Sequence, residues 1–261
     1  MQCNMHILKF EYVIERELRE IIEERYPLDW KEDVITHELA LRFRSRFQRI
    51  TLHGTRYPLE VEWEVYKLHG SRETAHGDIG LLIRYKLPTG TLLEGAGFLE
   101  AKIRARDSSS FPQARPDQVK RILARSPQTR LLLYDYRPVP VLDEPFDIDF
   151  DWDFFPHPLY RRHLDRSRVT HGPVLPLQLA ATINQYDDTL YRFCHSLAHQ
   201  FSRRYFHLHD LDFSQSAIQT VKGFPTDLGS PNIIMVIRAA VRGQELPEEF
   251  RPSDDRYGSI E

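Results

Sequence analysis

The apolar period of this chain changes between Phe47 and Leu59. From Ile7 to Glu24 the residues Ile7, Phe10, Ile14, Leu18, Ile21 and Ile22 recur at helical spacing, and Pro27 closes the run. Asp33 or a neighbour is expected to cap a second helix reaching about Phe47, with Ile35, Leu39, Phe43 and Phe47 on one stripe. Beyond it the period drops to two. Leu59, Val61, Trp63 and Val65 alternate with Glu60, Glu62 and Glu64, as in a strand with one wet face. A chain with both periods must bury helical stripes against a sheet, which excludes all-helical and all-strand folds.

The same reading extends downstream. Asp78–Leu87 is a second strand, Pro88-Thr89-Gly90 a turn, and Gly97–Ile103 a third strand. Pro116 fits the first turn of a helix carrying Val119, Ile122 and Leu123, and a short strand follows from Leu131 to Tyr134. The order predicts an α/β fold with a mixed central sheet flanked by helices. From Pro138 the character shifts, so residues 1–136 are read as the core and 137–261 as a C-terminal accessory region packed on it. Within that region Leu177–Ile183 and Leu190–Phe206 are expected as helices, Asn232–Ala240 as a buried strand, and the tail from about Glu245 as frayed.

Composition narrows the function classes. The 261 residues are 41% hydrophobic, enough for a packed core without disulfides. Thirty-five Lys and Arg against 38 Asp and Glu leave a net charge of −3, which excludes a histone-like polycation. Any nucleic-acid contact must then come from local basic clusters. Two cysteines, Cys3 and Cys194, are too few for a disulfide framework or a cysteine zinc site. The absence of an 18-residue apolar run or a leader-like N-terminus makes a cytoplasmic, membrane-free protein the expectation.

Chemistry concentrates at His76-Gly77-Asp78-Ile79-Gly80 and, 22 residues after Asp78, at Glu100-Ala101-Lys102. Residues two apart on a strand share a face, so Glu100 and Lys102 project together. An antiparallel hairpin closed near Pro88–Gly95 brings Asp78 towards them. Converging carboxylates repel unless a cation separates them, and oxygen ligands suit Mg2+ or Mn2+. A lysine beside that ion can orient or deprotonate a water, or hold a phosphate, which suits phosphodiester hydrolysis.

This D-x(21)-E-x-K pattern on successive strands, after a helix and before a helix and strand, resembles the PD-(D/E)XK nuclease superfamily, the restriction-endonuclease-like fold, over about residues 30–136. Gly77 stands where the proline of the family name would be. The resemblance implies an αβββαβ core, Asp78 and Glu100 as metal ligands, and Lys102 as the catalytic lysine. It also implies a ligand from the preceding helix, for which Glu38 is favoured over Glu32 and Glu11. Some subfamilies carry Gln-x-x-x-Tyr on the next helix; here Gln118 is followed by Ile122, a half-match. The implied activity is Mg2+-dependent DNA endonuclease. It is accompanied by a role in prokaryotic anti-phage defence, a protein partner that senses or unwinds DNA, and scope for homo-oligomerisation. The alternatives are an RNA-cleaving nuclease, or a non-catalytic nucleic-acid or protein-binding module on the same fold.

Three basic clusters are candidate phosphate contacts: Arg42, Arg44, Arg46 and Arg49; the seven bases from Lys102 to Arg125; and Arg161, Arg162, Arg166 and Arg168. Arg104, Arg106, Lys120 and Arg121 of the second follow the lysine most closely and are the expected nucleic-acid contacts. The stretch Asp143–Asp153 has six acids and no base, alternating with Phe146, Ile148, Phe150 and Trp152. It reads first as an acid-fringed edge strand. Docking to a basic partner, covering the basic groove, or a second metal site are the other readings. His195 and His199 have a zinc-compatible spacing, but no Glu follows His195, so a core or surface role is expected. The absence of a Gly-rich phosphate loop or a G-x-S-x-G turn argues against ATP use and serine hydrolysis.

Overall fold

A computed structural model describes residues 3–55, 57–69, 76–112, 116–140, 169–224, 230–253 and 256–260. The acidic stretch Asp143–Asp153, Arg115 and the cluster Arg161, Arg162, Arg166 and Arg168 lie outside the described residues. No helix among the described residues is long and apolar enough to cross a membrane.

Helix α1 spans Ile7–Arg25 and α2 spans Glu32–Phe47. The residue before α2 is Lys31 and makes no side-chain cap, so the helix begins ahead of the expected Asp33. Glu32 and Asp33 instead occupy its first turn, where acids complement the helix dipole. Strands β1 (Cys3–His6) and β2 (Arg49–His53) pair in parallel; they are too short for their periodicity to show in the sequence. Strand β3 covers Leu59–Leu68 with the expected alternation of buried and half-buried residues. Strands β4 (Ile79–Lys86) and β5 (Leu92–Ile103) form the expected antiparallel hairpin, with β5 starting five residues before Gly97. Helix α3 (Pro116–Arg125) crosses to β6 (Arg130–Tyr134), which runs parallel to β5. The order α2–β3–β4–β5–α3–β6 is thus present, with β2 added before β3.

The C-terminal residues are not a separate layer. Strand β11 (Ile233–Val241) lies between β3 and β4, antiparallel to the first and parallel to the second. The expected boundary at 136/137 therefore divides residues that share one sheet. Both faces of β11 are buried over eight consecutive residues, as an apolar run interrupted only by the ion-paired Arg238 requires of a central strand. Strands β9 (Pro173–Pro176) and β10 (His195–Ser196) extend the sheet beyond β6. Strand β12 (Tyr257–Ser259) pairs with β3, while β7 (Val139–Pro140) and β8 (Val169–Thr170) form a separate ladder.

Odd-numbered residues of the central strands, such as Trp63, Leu81 and Leu99, face α1 and α2 in the largest core cluster. Trp63 anchors it, with ring centroids 5.8 Å from Phe43 and 5.3 Å from Phe201. The opposite face, which carries even-numbered residues of β3, β4, β5 and β11 and odd-numbered residues of β6, is covered twice. Helix α3 and the short helix Leu177–Ile183 pack on Leu131 and Leu133, while the helix Gln215–Val221 packs on Leu82, Phe98 and Val236. Between these two covers the face carries Glu100. The helix expected over Leu190–Phe206 is broken: a 3-10 turn covers Asp188–Phe193, β10 intervenes, and helical turns resume at Leu197–His199. The backbone needs extended residues there to pair His195 with Val174 on β9.

Candidate active site

The register of the β4–β5 hairpin builds the site. Ile79 pairs with Leu99, so Asp78 and Glu100 stand opposite one another at the hairpin's open end and share a sheet face. The main chain holds Asp78 there: its N–H donates to Leu99 O at 2.9 Å, and Ala101 N–H donates to its Oδ2 at 2.9 Å. Gly77 makes the approach possible. Its φ is +90°, and a Cβ there would sit 2.8 Å from Leu99 O. Proline, locked near φ −65°, cannot adopt this conformation. His76 beside it is buried, with its ring 5.5 Å from Phe98 and its Nδ1 3.1 Å from Ser126 Oγ.

Lys102 Nζ lies amid oxygens. It donates to Glu100 Oε1 at 2.7 Å and to Ala101 O at 2.6 Å, and stands 3.6 Å from Glu32 Oε1. Gln118 Nε2 on α3 donates to the same Glu100 oxygen at 3.0 Å. The other oxygen, Glu100 Oε2, is buried with no hydrogen-bond donor among the described residues, on a side chain with 0% exposure. Two facing carboxylates that share a single ammonium in a buried site repel one another unless a proton or a further cation arrives.

The electrostatics express that cost. Burial first, then Asp78, pushes the Glu100 carboxyl up to about 7 against the pull of Lys102. Burial, reinforced by Asp78 and Glu100, pushes Glu32 up to about 8 although Lys102 opposes it. Asp78 is raised as well, chiefly by burial. Burial alone would lower the Lys102 ammonium, but Glu100, Glu32 and Asp78 outweigh it and hold the group above its ordinary value. Lys102 is therefore a cation.

The structure thus brings together Asp78, Glu100 and Lys102, and does not bring Glu38 with them. Glu38 is held by Arg25 Nε at 2.6 Å and Arg42 Nη2 at 2.8 Å, and these partners overcome its burial to keep its carboxyl below the usual range. Glu32 takes the position instead. The offset of six positions turns a side chain about 120° around the helix and carries it about 9 Å along the axis. Glu11 is also elsewhere, accepting from Ser202 Oγ at 2.6 Å and Arg203 Nε at 2.9 Å. Gln118, half of an incomplete motif, proves to touch Glu100.

Of the expected phosphate contacts, Arg104 is withdrawn: its side chain has 0% exposure and is held by Asp135 and Asp188. Arg106, Lys120 and Arg121 are exposed. Arg121, three residues beyond Gln118, shares its side of α3, whereas Lys120 is turned away. Arg42 is enclosed by Glu17, Glu20, Glu24 and Glu38, so it does not serve as a surface cation. His195 and His199 have ring centroids 5.1 Å apart, and His195 Nε2 lies 2.6 Å from Gln200 Oε1. Burial lowers both, His199 to about 4.

Among the described residues no group of three or more His, Cys, Asp or Glu side chains could hold a metal ion by itself. An ion at Asp78 and Glu100 would accordingly complete its shell from main-chain oxygen and water, as Mg2+ commonly does with one or two carboxylates. The orphaned Glu100 Oε2 and the two facing acids fit such a hard cation. No protein-family profile, curated protein or solved structure matches the chain.

Proposed function

We propose that this chain is a metal-dependent nuclease of the PD-(D/E)XK type that hydrolyses DNA phosphodiester bonds as an endonuclease. One observation carries the reading: a buried and a half-buried carboxylate from adjacent strands meet beside a lysine, and one oxygen of the buried one receives no donor among the described residues. Asp78 and Glu100 would hold Mg2+ or Mn2+, which when bound polarises the phosphate and stabilises the leaving oxygen. The remaining work falls to the chain itself. Ala101 N–H fixes the Asp78 carboxylate, and Gln118 fixes that of Glu100. Lys102, as a cation, donates to the attacking water or to a non-bridging phosphate oxygen. Glu32 counterbalances its charge and keeps the ammonium at the rim of the site.

Plasmid cleavage tests this directly. Supercoiled DNA is expected to be cut with Mg2+ or Mn2+ and left intact in EDTA, and calorimetry should show ion binding that Glu100→Gln abolishes. Cutting that persists in EDTA removes the reading.

The raised carboxyls give a second expected result. Glu100 and Glu32 lose their protons near 7 and 8 when folded, but near 4.5 when unfolded. The folded state then binds more protons, so the metal-free protein loses stability as pH rises through that window. Above about pH 7 most ordinary histidines are neutral folded and unfolded alike, leaving the slope to these acids. Melting in EDTA should fall between pH 7 and pH 9. Mg2+ should restore it increasingly as pH rises, and Glu32→Gln should flatten the upper part. A metal-free melting temperature that climbs across this range contradicts the assignment.

A further inference from the structure

The sheet face that carries Asp78 and Glu100 continues across β4 and β11 to β3, where its even-numbered residues are Glu62, Glu64 and Tyr66. There it opens into a cleft of about 1050 Å3, bounded by the end of α2, the start of β2 and the C-terminal residues around Phe250. The charges in it are layered. At the floor, Arg238 is paired with both Glu62 and Glu64, leaving that layer acidic. At the rim, among the described residues, stand Arg44, Arg46, Arg49 and Arg251 against one acid, Glu249. Arg46 and Arg49 lean on Glu17 at 2.8 Å and Glu62 at 3.3 Å, yet their side chains remain 53% and 60% exposed.

This layering selects the shape of a ligand. A compact anion sinking into the cleft would meet the carboxylates of the floor, whereas an elongated polyanion lying across the rim meets guanidiniums, which bind phosphate oxygens bidentately. The cleft lies three strand spacings and four residues from Glu100, about 20 Å at roughly 4.8 Å per strand and 3.3 Å per residue. That separation corresponds to about six base pairs of duplex at 3.4 Å per step. The helix Gln215–Val221 packs on the face between them, so a duplex touching both must bridge over it.

We propose that the rim of this cleft is a second contact for the nucleic-acid backbone, positioning a duplex whose scissile phosphate lies at Asp78, Glu100 and Lys102. The inference rests on the nuclease reading and adds a remote anchor to it. The anchor binds phosphates, carries no sequence information, and acts on affinity instead of on the chemical step.

The test is equilibrium anisotropy of a labelled 24-base-pair duplex with the full-length Lys102→Ala chain, alone and combined with Arg49→Ala/Arg251→Ala. The arginine substitutions are expected to weaken binding about tenfold and to lower the slope of log affinity against log salt by about two, one per lost phosphate contact. Arg49→Lys/Arg251→Lys should retain most of the affinity. Unaltered affinity and salt slope overturn the proposal, as does a loss that appears with lysine as fully as with alanine. If the parent chain cuts no DNA with Mg2+ or Mn2+, the nuclease reading fails, while the binding comparison still decides whether the rim holds DNA.

Discussion

Replacing Lys102 with alanine is expected to lower the rate of plasmid cleavage by about a thousandfold while leaving the fold intact. The magnitude is that of removing one preorganised donor from a developing oxyanion, about 10²–10³, with the loss of water positioning added. The side chain is 12% exposed and belongs to no core cluster, so its loss creates no large cavity. It does leave Glu100, Glu32 and Asp78 without their shared cation, and metal-free stability should therefore drop most at high pH. Calorimetry in Mg2+ separates the two effects: ion binding through Asp78 and Glu100 should persist in the Lys102 variant while turnover disappears. Glu100→Gln should lose both. A Lys102→Ala chain with parental turnover would show that the lysine is only a charge partner of buried acids.

The second large effect is on stability. Arg104 lies two residues beyond Lys102, yet its guanidinium is buried beside Asp135, just past the end of β6. Its Nη1 donates to Asp135 at 2.8 Å and Asp188 at 2.7 Å, and its Nε donates to Ser108 O at 2.7 Å. Its own carbonyl receives Trp30 Nε1 at 2.8 Å, tying the N-terminus of α2 to the end of β5. Asp135 is fully buried, and the next cation, Arg137, reaches only its other oxygen at 3.7 Å. Arg104→Ala should consequently cost about 3–5 kcal/mol, the penalty for stranding a buried charge. At about 2–4 °C per kcal/mol for a chain of this size, melting should fall by about 10 °C. Adding Asp135→Asn should recover part of the loss, because the stranded charge goes with it. A single variant within about 1 kcal/mol of the parent by urea unfolding would refute this account.

The two substitutions also separate roles that a run of basic residues cannot. Lys102, Arg104 and Arg106 alternate along one segment, and as letters they are a single basic cluster. In the fold Lys102 reaches the site, Arg104 is sealed in an ionic network, and Arg106 is exposed. Parity on the strand places the first two on one face, but what meets each of them is supplied by other elements. Lys102 meets Glu32 from α2, whereas Arg104 meets Asp135 and Asp188, 31 and 84 residues away in sequence.

Local rules of period and turn chemistry were enough to read α1, α2, α3, the β4–β5 hairpin and the meeting of Asp78 with Glu100 and Lys102. Each depends on contacts within about 25 residues, where helical or strand geometry converts spacing directly into direction. They were insufficient wherever the deciding partner is remote. The run Asn232–Ala240 announces burial on both faces but carries no mark of its neighbours, so its insertion between β3 and β4 emerges only in the assembled sheet. Glu32 and Glu38 are equivalent as letters on one helix. The angle at which α2 meets the sheet places the first beside Lys102 and leaves the second to Arg25 and Arg42. Packing of distant elements sets such choices, because burial makes an unpaired charge expensive and the chain settles where each buried acid finds its cation.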